Sequence, residues 1–183
     1  MDFHKLFNSV CSFSKSYNSS KGTVRSSQPV GQRVIHKLNR FSNAIMEMVG
    51  NDLTMELSTY VSKGQSTLPR VLWVAFLPRG HRVSTHASIA VCFGRHGEGA
   101  VLGVMEPAGM SQRLAPLVNR TANEGLRVDV DGPNPSTKYN NRFINPKEML
   151  VDEFDEGVFL SHIKDSVVLL AELLRKKQMD RSF

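Results

Sequence analysis

The sequence predicts an α+β fold, a mainly antiparallel central sheet flanked by helices. Three observations predict it. Apolar stripes at helical spacing stand near both ends of the chain, and the middle is a series of short runs rich in β-branched residues. Those runs are joined by short polar connections, which make consecutive strands antiparallel neighbours.

The elements follow in order. Residues 3–14 place Phe3, Leu6, Phe7, Val10 and Phe13 near helical spacing and predict a short helix. Residues 16–30, SYNSSKGTVRSSQPV, are rich in Ser, Gly and Lys and read as a flexible linker. Residues 1–30 are therefore expected to be an arm, and residues 31–177 the domain, with a short tail at 178–183. A helix is predicted over 31–49, where Val34, Ile35, Leu38, Phe41, Ile45, Met48 and Val49 draw one apolar stripe. Arg33, Lys37 and Arg40 lie on its other side, as a solvated face or as phosphate contacts.

Strands are predicted over 53–61, 71–77, 86–93 and 100–105, with a loop PRGHRVST at 78–85. A helix is predicted at 111–124, although Pro116 interrupts it. Residues 126–130, LRVDV, read as one short strand, followed by a polar segment up to Glu148. The last helix spans about 156–177, with Phe159, Ile163, Val167, Leu170 and Leu174 on one face. Asp155 and Glu156 stand at its positive end and Arg175, Lys176 and Lys177 at its negative end, as the helix dipole favours.

Composition limits the function classes. The chain of 183 residues is 40% hydrophobic and 22% charged, ordinary globular values. No run approaches the roughly 18 apolar residues of a membrane span, and the first residues lack the apolar stretch of a secretory signal. A cytoplasmic protein with two free thiols, Cys11 and Cys92, is expected. The net charge is +6, unevenly spread. Residues 1–100 hold 12 Lys/Arg against 5 Asp/Glu, and residues 101–183 hold 11 against 12. A basic excess suits a polyanion, because each phosphate neutralised releases counterions.

No phosphate-binding loop, His-Glu-x-x-His, Cys-x-x-Cys or Gly-x-Ser-x-Gly is present. His81 and His86 flank one loop without a third ligand, and read as surface histidines rather than a metal site. Asp129, Asp131 and Glu148, with Lys147, do not form a recognisable nuclease constellation. No enzyme activity, metal or cofactor is expected.

Alternation assigns faces to the two central strands. Leu72, Val74 and Phe76 join Ile89, Val91 and Phe93 on the core face. That leaves Trp73 and Ala75 on the other face with Ser88, Ala90 and Cys92. A large flat ring beside small side chains accommodates either a closely packed helix or a planar ligand such as a stacked base.

The order of these features resembles the N-terminal DNA-binding domain of McrB-type modification-dependent restriction proteins. The resemblance rests on Leu57-Ser58 with Tyr60, then Leu68-Pro69 leading into Trp73-Val74-Ala75-Phe76-Leu77, then a loop to Ser84 and a β-branched strand. A later Pro135 to Tyr139 segment and a final apolar helix complete it, over roughly residues 50–177. Two departures stand out. Arg70, Val71 and Leu72 separate Pro69 from Trp73, and Ser88 replaces an aromatic, which implies a roomier pocket. The resemblance implies a non-catalytic reader that flips a modified base, such as 5-methylcytosine, out of double-stranded DNA. A GTPase motor and a nuclease subunit would do the cutting in a restriction or phage-defence system. It implies aromatic walls from Trp73, Tyr60 and Tyr139 and a floor at Ser88 and Cys92. Candidate phosphate contacts are Arg79, His81, Arg82, Arg95, Lys138 and Arg142. The other readings are a nucleic-acid module that binds without flipping, a nuclease using Asp129, Asp131 or Glu148, and a protein-interaction domain.

Overall fold

The computed structural model describes residues 2–19, 24–49, 52–58, 68, 72–83, 85–94, 97–105, 127–131 and 138–179. Within them the chain folds as α+β. Helix α1 (Phe3–Ser19) and helix α2 (Pro29–Val49) precede strands β1 (Leu53–Leu57), β2 (Trp73–Pro78), β3 (Ser88–Phe93) and β4 (Gly99–Met105). Strands β5 (Arg127–Asp131) and β6 (Lys138–Leu150) and helix α3 (Glu156–Met179) follow. The strand order is β1-β2-β3-β4-β6-β5, every neighbouring pair antiparallel. The expected helix at 111–124 lies outside the described residues. None of the described helices is long and apolar enough to cross a membrane.

Each helix starts where its sequence provides a cap. The Asp2 carboxylate accepts from the Lys5 backbone N–H at 3.1 Å, and that bond holds its carboxyl below the usual carboxylate range. Pro29 opens α2, where a missing N–H leaves no helical bond unmade. Asp155 caps α3 by accepting from the Val158 N–H at 2.9 Å.

The N-terminal segment differs from the expected arm. α1 runs on to Ser19 and buries Phe3, Leu6, Phe7, Val10, Cys11, Ser14 and Tyr17. Its stripe belongs to the same core as α2, α3 and one face of the sheet. Phe7 stacks on Phe154 at 4.2 Å, Phe3 lies 5.2 Å from Phe159, and Phe41 meets Phe93 edge-on at 5.2 Å. The Ser-rich residues 12–16 are helical because Ser14 donates to the Gly94 carbonyl at 3.0 Å and Ser16 to the Ser12 carbonyl. Tertiary burial of an apolar stripe outweighs weak local propensity. On α2, Lys37 is not on a solvated face: it donates to Ser9 of α1 and lies over the Phe13 ring. Arg33 and Arg40 are exposed, and so is Met48, which was expected in the apolar stripe.

The expected polar segment after residue 130 is instead a hairpin. Its second strand, β6, first pairs with β5 (Asp131↔Lys138 to Arg127↔Arg142) and then with β4 (Met105↔Phe143 to Gly99↔Leu150). Pro146 is tolerated in this long strand because a bulge lies there. The register steps from Val104↔Ile144 to Leu102↔Lys147, so two β6 residues face Gly103 alone. Asn145 takes the positive φ of 50° that the bulge requires. The extra residue inverts the alternation of β6. Ile144 and Met149 therefore share the helix-covered face, although one number is even and the other odd.

Gly99 is fixed by a close approach. A Cβ there would stand 2.1 Å from the Met149 carbonyl oxygen and 3.0 Å from the Leu150 Cα. Both are backbone atoms of the adjacent strand and cannot rotate away. Gly99→Ala is expected to lower stability by about 1–3 kcal/mol. A urea titration should show a lower midpoint with an unchanged slope. An unchanged midpoint would mean that β4 and β6 do not meet in this register.

Candidate functional site

The two faces of the sheet are built differently. Val74, Phe76, Ile89, Val91, Leu102 and Val104 lie in the core beneath the three helices. Trp73, Ala75, Leu77, Ala90, Cys92, Met105 and Phe143 form a second buried cluster on the opposite face, with Val83 and Val101 packed against it. No helix residue belongs to that second cluster. The alternation of β2 and β3 had predicted this division, and a packed helix is not what the described residues put there.

Register places the second-face residues in rows. Trp73 faces Cys92, which faces Val101, which faces Glu148. The next row is Glu56, Ala75, Ala90 and Gly103. Ser88 faces Met105, which faces Phe143. Trp73 and Cys92 are therefore cross-strand neighbours. Ser88 shares their face but stands four residues along β3, about 13 Å from Cys92.

The polar atoms here are unusual. Trp73 is 9% exposed and Ser88 0%, yet neither the Trp73 Nε1–H nor the Ser88 Oγ has a hydrogen-bond partner. His81 Nδ1 is also buried and unpaired. Five such side-chain atoms occur among the described residues, and these three belong to β2, β3 and the loop joining them. A buried donor or acceptor left unpaired costs about 1–3 kcal/mol. The Trp73 backbone, in contrast, is pinned on both sides. Its N–H donates to Ser58 Oγ at 3.0 Å, and its carbonyl accepts from the Ser58 N–H at 2.9 Å.

The β2–β3 loop folds back over this face. The His81 N–H donates to the Pro78 carbonyl at 3.1 Å, closing a turn in which Gly80 takes φ 82°. Farther along, the Val83 N–H donates to Glu56 Oε2 at 3.3 Å, and the Val83 side chain packs on the second cluster. Glu56, half-buried in β1, thus anchors the loop that carries Arg79 and Arg82, both exposed. His81 is not placed as a phosphate ligand would be. It is half-buried and stacks on His86 at 4.1 Å with the rings 5° from parallel. Parallel stacked rings also cannot converge their nitrogens on one metal ion. Among the described residues no group of three His, Cys, Asp or Glu could hold one.

The remaining candidates are dispersed. Tyr60 and Arg95 lie outside the described residues. Tyr139 faces Val130 and Lys138 faces Asp131 in the β5–β6 hairpin, past the last residue of β4, so register does not bring Tyr139 beside Trp73. Arg142 faces Arg127 in the same hairpin. Asp129 faces Asn140, eight residues along β6 from Glu148, about 25 Å. The carboxylates of the nuclease reading therefore do not gather at one place in the sheet. Both cysteines are free and buried. Burial, and secondarily the Glu98 charge, pushes the Cys11 thiol up to about 12, and burial raises Cys92 further. Neither thiol is a nucleophile at neutral pH.

Glu56 escaped the sequence reading. Its signal was present, since Leu53, Met55 and Leu57 alternate with Thr54 and Glu56, but which face the polar residues share is decided by pairing with β2. Comparison of the chain with protein-family models, curated proteins and solved structures returns no match.

Proposed function

We propose that this chain is a non-catalytic DNA-binding domain that receives one extruded, modified base, cytosine-derived, against the Trp73 face of its sheet. One observation carries the reading. A nine-tenths-buried indole keeps an unpaired N–H on a face of small residues that no helix covers. A base offers what that face lacks, a flat apolar surface for the ring and acceptors for the N–H. Cys92, Ala90 and Ala75 are the floor. The charge of +6 and exposed Arg79 and Arg82, on the loop anchored over this face, support a nucleic acid as the ligand. Lys138 and Arg142 are further phosphate candidates. Extrusion costs a few kcal/mol of unstacking, which contacts on this face offset. In this reading the chain is the sensor of a modification-dependent restriction system, as the resemblance to McrB-type domains suggests, and a GTPase motor and a nuclease supply the cleavage.

The test is a binding panel on one duplex carrying cytosine, 5-methylcytosine, 5-hydroxymethylcytosine, 4-methylcytosine or 6-methyladenine at a single site. At least one modified duplex is expected to bind more tightly than the unmodified one. With about three to five phosphate contacts, the log–log salt slope should be roughly −3 to −4.5. Equal binding of all five duplexes with that slope would make the protein a backbone binder that flips nothing. No binding at any salt concentration would end the nucleic-acid reading.

A further inference from the structure

We propose that Glu56 is the specificity-determining residue of the Trp73 face, its carboxylate accepting from the exocyclic amino group of the base while the Trp73 N–H donates to the neighbouring ring acceptor. The inference rests on the base-reading function above and names the edge that is read. Glu56 faces Ala75 across β1 and β2, so it is the diagonal neighbour of Trp73 on the same face, with Cα atoms about 7–8 Å apart. Its Oε2 is already held by the Val83 N–H, which fixes the carboxylate. The small side chains of Ala75 and Ala90, both fully buried, and Gly103 continue its row and leave the space above it unfilled by bulk.

The two groups have fixed and opposite roles. A carboxylate only accepts and an indole N–H only donates. Cytosine presents an amino donor next to the N3 acceptor, which matches the pair. Thymine presents a carbonyl next to an N3–H, which reverses both contacts unless the base slides by one ring position. The arrangement therefore favours an amino pyrimidine over its keto counterpart, whatever stands at the 5-position. Carboxylates that accept from the cytosine amino group are an established mode of base reading.

The probes are three duplexes that carry 5-methylcytosine, thymine or cytosine at one position, each opposite an abasic site so that no pairing partner is lost. 5-Methylcytosine and thymine differ only in the edge that Glu56 would read. The full chain is expected to prefer 5-methylcytosine over thymine by about ten-fold or more. Glu56→Gln keeps a carbonyl for the Val83 N–H and adds a donor, so it should shrink that preference at least five-fold. Glu56→Ala, with its melting curve recorded, is the second variant and should shrink it too. Preference for 5-methylcytosine over cytosine with equal binding of thymine overturns the role of Glu56 alone. An unchanged amino-over-keto preference in a folded Glu56 variant overturns it as well. Failure to distinguish 5-methylcytosine from cytosine, in a protein that also distinguishes no other modified duplex, overturns the base-reading function itself.

Discussion

Trp73→Ala is expected to lower affinity for the preferred modified duplex by about ten- to a hundred-fold, because one aromatic–base stack is worth about 1–3 kcal/mol. Binding to unmodified duplex should change little, since phosphate contacts remain. Arg79→Ala or Arg82→Ala should instead weaken both duplexes about equally. The indole is also a packing residue, 9% exposed and in contact with the second cluster, so truncation carries a stability penalty of about 3–5 kcal/mol. Trp73→Phe separates the two roles. It keeps a ring in the cluster and deletes the N–H that has no partner. The free protein should therefore melt no lower than wild type, or slightly higher, because an unpaired buried donor has been removed. Affinity for the modified duplex should nonetheless fall by about two- to twelve-fold, the value of one hydrogen bond. A folded Trp73→Phe protein with wild-type affinity and selectivity would show that the N–H meets no ligand. If folded Trp73→Ala also kept the wild-type ratio, base reading on this face would have to be abandoned.

The second large effect concerns the N-terminal helix. Phe7 is fully buried and touches rings from four segments: Phe41 of α2, Phe93 of β3, Phe154 before α3 and Phe159 within it. Phe7→Ala is expected to cost about 3–5 kcal/mol. Against a typical total of about 5–15 kcal/mol, that is a large share. Deleting residues 1–19 would uncover the same rings together, and the truncated chain should lose its cooperative unfolding transition. An arm outside the core would behave oppositely, with the urea midpoint unmoved by either change. Loss of binding in such a truncation would report unfolding, so the DNA experiments require the full chain.

What the sequence alone determined was the local periodicity. β2 and β3 each carry one bulky and one small or aromatic row, and a period of two allows only one way to put both bulky rows on the core. That placed Trp73, Ala75, Ser88, Ala90 and Cys92 on a common face before any pairing was known. The stripes of α2 and α3 were legible for the same reason, at a period of 3.6. Tertiary structure decided everything that depends on which element meets which. α1 has an apolar stripe in its sequence, but only the rings of Phe41, Phe93 and Phe159 make that stripe core. Pro146 argues against a strand until the bulge opposite Gly103 accommodates it. Pairing likewise set Ser88 four residues from the Trp73 row and put Tyr139 past the end of β4. It also brought Glu56, unremarkable in the sequence, to the diagonal of the indole. A side chain's face follows from local geometry, whereas its neighbours follow from register, which forms only when distant segments pair.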